Sequence, residues 1–221
     1  MGGFQFRWFE LKELLLKHNY WYFPKAIKKE KCDEIISTCL KQKQEKGVIV
    51  PTVKNSSHTT SVDSKYRDCK VHWINKEWIY DILNPFIHSA NKQAGWNFQW
   101  DWNEPSQFTI YNKNQFYDWH SDQISTYDID NNSKFSNKKN FNNKTRKLSL
   151  TLQLTDPSEY EGGDFQLRWF KEKTIKIETP KRAKELGTVI IFPSFICHRV
   201  APIIKGKRQS LVNWSLGKPF I

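Results

Sequence analysis

The sequence predicts a mainly β domain with helices gathered on its N-terminal side, an α+β arrangement. Two observations carry this. From residue 97 onward, short segments alternate apolar and polar residues with a period of two, separated by turn residues. Before residue 96, three stretches repeat apolar residues at helical spacing. Helices first and strands afterwards read as helices packed on one outer face of a β sandwich or barrel. A chain of 221 residues suits one domain over 1–221, with 1–95 as helical support and 96–221 as the β core.

The elements follow in order. Residues 6–17 have the pattern of a short amphipathic helix. An aromatic, strand-like run at 20-YWYF-23 leads into a helix with apolar positions at Ile27, Cys32, Ile35, Ile36, Cys39 and Leu40, stopped by Gly47. A polar loop, 54–68, precedes a short strand near 69-CKVHWI-74. A second helix, about 76–93, carries Trp78, Ile79, Ile82, Leu83, Phe86, Ile87 and Ala90. Strands are then expected at 97–102, 107–112, 148–154, 164–169, 174–179, 188–193 and 209–217. Residues 128–147 break the rhythm. They are rich in Asn and Lys and nearly free of aliphatics, which reads as disorder first and as a lid second.

Composition narrows the function classes. No run approaches the ~18 apolar residues of a membrane span. The charges at Arg7, Glu10, Lys12, Glu13 and Lys17 interrupt the N-terminal apolar stretch, so it is not read as a signal peptide. The four cysteines, Cys32, Cys39, Cys69 and Cys197, form no C-x-x-C pair and read as reduced thiols of a cytoplasmic protein. The net charge of +12 admits a nucleic-acid partner. The basic residues are mostly Lys, spread along a chain also rich in Asn. Compositional bias is therefore the stronger explanation.

Chemistry enters at 116-FYDWHSDQI-124. On a strand, residues two apart project from one face, so His120 and Asp122 would point together. One histidine and one carboxylate are two of the three ligands of a 2-His-1-carboxylate site. By itself H-x-D is a weak signal. The second half is 188-TVIIFPSFICHRVAPIIKGKRQSLVNWSL-216, where His198 opens a strand and Arg208 follows ten residues later. A strand pair would bring Arg208 beside the metal face, where its planar fork suits a carboxylate.

Taken together, Tyr111, His120-Ser-Asp122, His198 and Arg208 resemble the Fe(II)/2-oxoglutarate-dependent dioxygenase superfamily, in its prolyl 4-hydroxylase-like branch with the PKHD-type hydroxylases. The run 150-LTLQLTDPSEYEGGDFQL-167 is similar to the family's central strand, acidic turn and Gly-Gly strand start. Residues 192–214 are similar to its last metal-ligand block, and 20–36 to its N-terminal strand and helix. The resemblance implies a double-stranded β-helix, or jelly roll, core. It implies that His120, Asp122 and His198 hold Fe(II) and form the catalytic centre. It implies that Arg208 pairs with the distal carboxylate of 2-oxoglutarate and that Tyr111 lines the cosubstrate pocket. Tyr117, Gln153 and Trp214 are candidates for the pocket wall. Phe116, Trp119, Trp169 and Trp214 read first as core residues.

Two departures stand out. Lys113-Asn114 replaces the usual Gly after Tyr111, and Gln153 stands where relatives often carry an aromatic. The implied reaction hydroxylates a C–H bond of a peptidyl substrate, proline above all, or of a small molecule. It consumes O2 and 2-oxoglutarate, releases succinate and CO2, and uses ascorbate as reductant. Two rivals are a nucleic-acid-directed 2-oxoglutarate oxygenase and an inactive β-sandwich binding module. The first would carry a second Arg where Trp214 stands, and the second leaves all three ligands and Arg208 without a purpose. A His/Asp/His set also accepts Zn(II) or Mn(II).

Overall fold

A computed structural model describes residues 16–47, 64–123, 144–171 and 174–220. Most of the helix expected over 6–17 and most of the loops expected at 54–68 and 128–147 lie outside the described residues. Strand β1 (Trp21–Phe23) and helix α1 (Lys29–Leu40) come first. They are followed by β2 (Gln44–Lys46), β3 (Arg67–Asp68), β4 (Lys70–Ile74) and helix α2 (Glu77–Gln93). The remainder is strand: β5 (Trp102–Asn103), β6 (Ser106–Tyr111), β7 (Phe116–His120), β8 (Thr145–Gln153), β9 (Tyr160–Gly162) and β10 (Phe165–Lys171). Then come β11 (Thr174–Glu178), β12 (Val189–Pro193), β13 (Cys197–Val200), β14 (Ile203–Gly206) and β15 (Arg208–Gly217).

The major sheet runs β1-β12-β8-β15-β6-β4-β2, with β5 also paired to β15. The minor sheet runs β11-β10-β13-β7-β3, and β14 and β9 form a separate pair. Helix α1 buries Cys32, Ile35 and Cys39, and α2 buries Ile79, Leu83, Ile87 and Ala90, each set one stripe at helical spacing. Both stripes share a core with Phe108 and Ile110 of β6, Leu148, Leu150 and Leu152 of β8, Val189 and Ile191 of β12, and Leu211 of β15. Burying each such Leu or Ile contributes about 1.5–3 kcal/mol. The helices therefore cover one outer face of the major sheet, as the order of patterns predicts.

A second core joins Val71, Tyr111, Ile190 and Phe192 of the major sheet to Phe165, Leu167 and Val200 of the minor one. Ile190 and its neighbour Ile191 thus face different cores, as strand alternation requires. Strand β8 shows the same alternation with a chemical twist. Its leucines face the helices, while Ser149, Thr151 and Gln153 face the other sheet and are buried too. Buried polar side chains need partners, so this inner face marks where a site belongs.

Three expectations change. Residues 97–101 are not a strand. Their backbone pairs with the end of α2: Asn97 N donates to Asn91 O (3.1 Å), Phe98 N donates to Asn91 Oδ1 (2.9 Å), and Asn91 Nδ2 donates to Phe98 O (2.8 Å). The period of two there reflects Phe98 and Trp100 packing on the helix core. Strands β2, β9 and β14 carry too little apolar alternation to be foreseen. Strand β11 forms where the pattern puts it, but Ile175 and Ile177 are exposed rather than turned into a core.

Candidate active site

Strand β7 ends on His120, and β13 sets His198 directly opposite it in register. Asp122 lies two residues beyond β7, not on the strand itself. Its backbone N–H donates to Ser194 O (2.9 Å), so the turn between β12 and β13 carries it instead. The three side chains nonetheless converge. His120 Nε2 lies 3.7 Å from Asp122 Oδ1 and His198 Nε2 lies 3.4 Å from Asp122 Oδ2. One ligand atom from each falls within 4.8 Å of the others.

Both imidazoles are oriented by the backbone. Their Nδ1 atoms meet Asp118 O (2.7 Å) and Ile196 O (3.0 Å). A carbonyl only accepts, so each Nδ1 donates and each Nε2 is the ring nitrogen turned toward Asp122. Tyr117 stacks on His120, with ring centroids 3.5 Å apart and planes 14° off parallel. The Arg67 guanidinium covers the Tyr117 ring, 4.4 Å from its centroid, and its Nη2 donates to Gln107 Oε1 (2.5 Å).

Asp122 is 6% exposed. The Ser149 hydroxyl donates to its Oδ2 (2.8 Å), and Ser149 and Ser194 hydroxyls lie 3.0 Å apart. Arg146 is gripped by Glu104 through Nε–Oε1 (2.5 Å) and Nη2–Oε2 (2.6 Å), and its Nη1 reaches Asp122 O at 3.4 Å. Burial opposes ionising Asp122, but His198, His120 and Arg146 outweigh it and hold the carboxyl below its ordinary range. Burial, reinforced by His198, pushes His120 well below its ordinary value, so it is neutral at pH 7. Trp214 N–H lies close enough to Asp122 to help hold it ionised, yet it makes no hydrogen bond of good geometry.

Two neutral nitrogens and one carboxylate fit a divalent transition metal and leave coordination positions open. Hard ions such as Ca(II) and Mg(II) prefer all-oxygen sets. This donor set therefore fits Fe(II). Ser149 is the group that fixes the carboxylate, so Ser149→Ala is expected to weaken Fe(II) binding about tenfold. Anaerobic Fe(II) titration of the metal-free protein measures this. Equal affinity in both proteins would remove Ser149 from that role.

Arg208, at the head of β15, is 2% exposed. Its contacts are Ser210 Oγ (3.4 Å from Nη1) and the Tyr111 ring, 5.8 Å from Cζ. Among the described residues no carboxylate pairs with it. A buried cation without a counter-ion is costly and fits an anionic ligand. Gly163, at φ +63°, makes space there, since a Cβ would come 3.1 Å from Arg208 Cδ and 2.4 Å from Ile203 Cδ1. Arg208 belongs to the major sheet and the histidines to the minor one. It therefore reaches the site across the gap between sheets, not by the strand pairing its spacing suggests.

Tyr111 sits opposite Arg208 in the β6–β15 register and is buried. Gln153 and Trp214 lie on the same inner face, opposite Ser210 and Ser149 respectively. Arg146 covers the Trp214 ring at 4.0 Å. Trp169 packs on the inter-sheet core. Trp119 stands between the guanidinium groups of Arg168 (4.6 Å) and Arg199 (4.7 Å), outside the described cores. The residues missed from sequence are Ser149, Ser194, Arg67 and the Arg146–Glu104 pair. Only Ser149 left a signal, as a polar residue alternating with leucines in a strand apolar enough to be buried.

The family model of the 2OG-Fe(II) oxygenase superfamily matches residues 106–216, half of the chain and every residue of the His/Asp/His set and Arg208. The chain belongs to the 2OG-Fe(II) oxygenase superfamily. Its sequence is similar to a PKHD-type hydroxylase of Prochlorococcus marinus, 42% identical over 67 residues. That match covers 30% of this chain and 28% of the relative, so it spans less than a third of the relative's length. Among solved structures, the fold is similar to a Pseudomonas putida prolyl-4-hydroxylase, with a TM-score of 0.59 at 15% identity, covering 90% of this chain and 92% of that one. It is also similar to a Trichoplax adhaerens prolyl hydroxylase in complex with a hypoxia inducible factor peptide fragment. There the TM-score is 0.60 at 13% identity, over 89% of this chain and 83% of that one. Both are jelly-roll relatives in fold, in keeping with the two facing antiparallel sheets.

Proposed function

We propose that this superfamily member is an Fe(II)- and 2-oxoglutarate-dependent dioxygenase that hydroxylates a C–H bond of a peptidyl substrate, with proline the first choice of residue. One observation carries the reading. Three converging donors and a buried arginine that has no counter-ion among the described residues face the same inter-sheet space. Bound there, Fe(II) with 2-oxoglutarate and O2 supplies oxidative decarboxylation to succinate and CO2 coupled to C–H hydroxylation, with ascorbate as reductant.

The chain's own residues do the rest. His120 and His198 offer Nε2 lone pairs because Asp118 O and Ile196 O hold their Nδ1 protons. Asp122 offers a carboxylate turned by Ser149. Arg208 would pair with the distal carboxylate of 2-oxoglutarate, for which its planar fork is suited. Burial pushes the Tyr111 and Tyr117 phenols up, so both remain protonated and can donate. The buried walls keep the donors in a dry space, where fixed dipoles act strongly.

The peptide reading draws support from the Trichoplax relative, which is seen with a peptide fragment. Trp214 packs under Arg146 and offers no cation for nucleic acid. The four cysteines are unpaired, which suits the cytoplasm, and among the described residues no helix is long and apolar enough to cross a membrane. The test supplies Fe(II), ascorbate and 2-oxoglutarate and follows succinate with and without prolyl peptides. Slow turnover alone, raised by a prolyl peptide and matched by a peptide mass gain of one oxygen, is the expected result. Turnover raised only by a small molecule would move the substrate out of the peptide class.

A further inference from the structure

The outer face of the minor sheet departs from the pattern of a solvated face. Phe165, Leu167 and Trp169 of β10 turn into the inter-sheet core, so Arg168 and Phe170 point outward. Their register partners on β11 are Ile177 and Ile175, and on β13 Cys197 stands opposite Arg168 and Arg199 opposite Gln166. An antiparallel sheet with one face on a core normally carries polar residues on the other. Here Phe170, Ile175 and Ile177 form one outward strip and are 67%, 58% and 56% exposed. Both helices pack on the major sheet, so neither covers this face.

Beside the apolar strip lies a fixed pair of cations. Trp119 stands between the guanidinium groups of Arg168 and Arg199, whose Cζ atoms are 4.6 and 4.7 Å from the ring centroid. Arg168 Nε donates to Cys197 Sγ (3.1 Å) and Arg199 Nε donates to Gln166 Oε1 (2.7 Å). Those bonds occupy Nε alone. Among the described residues neither guanidinium pairs with a carboxylate. The terminal amines of both are left for another acceptor. A guanidinium already held by a ring and by Nε loses little freedom when a carboxylate takes those amines.

Three kinds of occupant compete for such a face. A second copy would bring the same cations together, in a chain of net charge +12. A nucleic acid would satisfy the arginines but set three apolar side chains against a phosphate backbone. An acidic peptide that also bears apolar side chains satisfies both. We propose that the outer face of β10 and β11 docks a segment of a partner protein in which carboxylates stand beside apolar side chains. The carboxylates meet Arg168 and Arg199, and the apolar side chains meet Phe170, Ile175 and Ile177. This face is turned away from the metal donors, so the docking does not rest on the oxygenase reading.

Fluorescence anisotropy on the full chain tests it with three labelled peptides. Each carries the same Phe and Leu residues, spaced by Glu, by Ser or by Lys. The Glu peptide is expected to bind wild type about tenfold more tightly than the Ser peptide, with the Lys peptide weakest. Rising salt should weaken the Glu peptide more than the Ser peptide. Arg168→Gln is expected to cost the Glu peptide about tenfold and the Ser peptide little. The double variant Ile175→Thr with Ile177→Thr keeps β-branched residues at exposed positions, and is expected to weaken the Glu peptide about tenfold. No binding of the Glu peptide to wild type overturns the proposal. So do affinities within about twofold across the three peptides, or across wild type and both variants. Single-stranded DNA that binds more tightly than the Glu peptide, and weakens with Arg168→Gln, would overturn it in favour of a nucleic acid. Sedimentation showing wild type as a dimer and the double variant as a monomer would overturn it in favour of a second copy.

Discussion

His120→Ala and Asp122→Ala each reduce 2-oxoglutarate turnover to the level of the metal-free protein. The expectation follows from how few donors converge at the proposed metal position. Only three donors converge among the described residues, two neutral and one anionic. Losing one imidazole leaves two contacts for an ion that binds at least three. Losing the carboxylate also removes the only negative charge of the set, so Asp122→Asn fails as well despite keeping the shape. Altering groups that merely orient ligands already costs 10–100-fold in metal affinity, so these substitutions cost more than about a hundredfold. Anaerobic Fe(II) titration and succinate formation are the paired measurements. Turnover in either variant equal to wild type would sink the His/Asp/His assignment. His120→Ala also leaves Tyr117 without its stacking partner. A thermal unfolding curve therefore accompanies the assay, to separate a lost metal site from a lost fold.

The convergence of these donors was partly legible in the sequence, for reasons that particular residues show. Neither the strand holding His120 nor the strand holding His198 stands in a period-two run; the first is read from the H-x-D spacing and the second from the turn that follows the apolar strand 188–193. Antiparallel pairing of β7 and β13 then has few ways to set the histidines other than opposite. Asp122 does converge with the two histidines, but not for the local reason its spacing suggests. Alternation along β7 was expected to aim it, but the strand ends at His120 and Ser194 O catches the Asp122 backbone. Spacing along one strand cannot reveal a hydrogen bond to a turn some seventy residues away. The supporting groups were hidden for the same reason. Ser149, Ser194 and the Arg146–Glu104 pair act across strands, and only register tells which side chains meet. Periodicity likewise finds β11 without telling that Ile175 and Ile177 face solvent. It also mistakes Phe98 and Trp100 for strand residues, because packing on α2 gives the same alternation. The helices are the most legible part, since each stripe requires an apolar surface and the leucines of β8 provide one.

Arg208→Ala raises the 2-oxoglutarate concentration needed for half-maximal turnover about a hundredfold, or ~3 kcal/mol, and leaves Fe(II) affinity within about twofold. The split follows from geometry. Arg208 touches none of the metal donors and stands in the opposite sheet, so removing it unbinds one end of the cosubstrate only. Arg208→Lys recovers part of the loss, because an ammonium supplies the charge but not the two-pronged fork. A second consequence has the opposite sign. In the free protein the guanidinium is buried with a serine at 3.4 Å and an aromatic face, and among the described residues no carboxylate pairs with it. Holding that charge out of water costs folding energy that only the bound diacid recovers. Replacing buried charged groups with apolar ones of similar size is often stabilising by about 1–4 kcal/mol. Arg208→Met is thus expected to unfold at a higher temperature than wild type in the absence of cosubstrate. Adding 2-oxoglutarate should raise the unfolding temperature of wild type and leave that of the variant unmoved, since only a ligand that binds the folded state shifts it. A Met variant that is less stable than wild type would mean that Arg208 is held by the fold itself. The anchor would then have to be sought among the other buried cations of the site, Arg67 first.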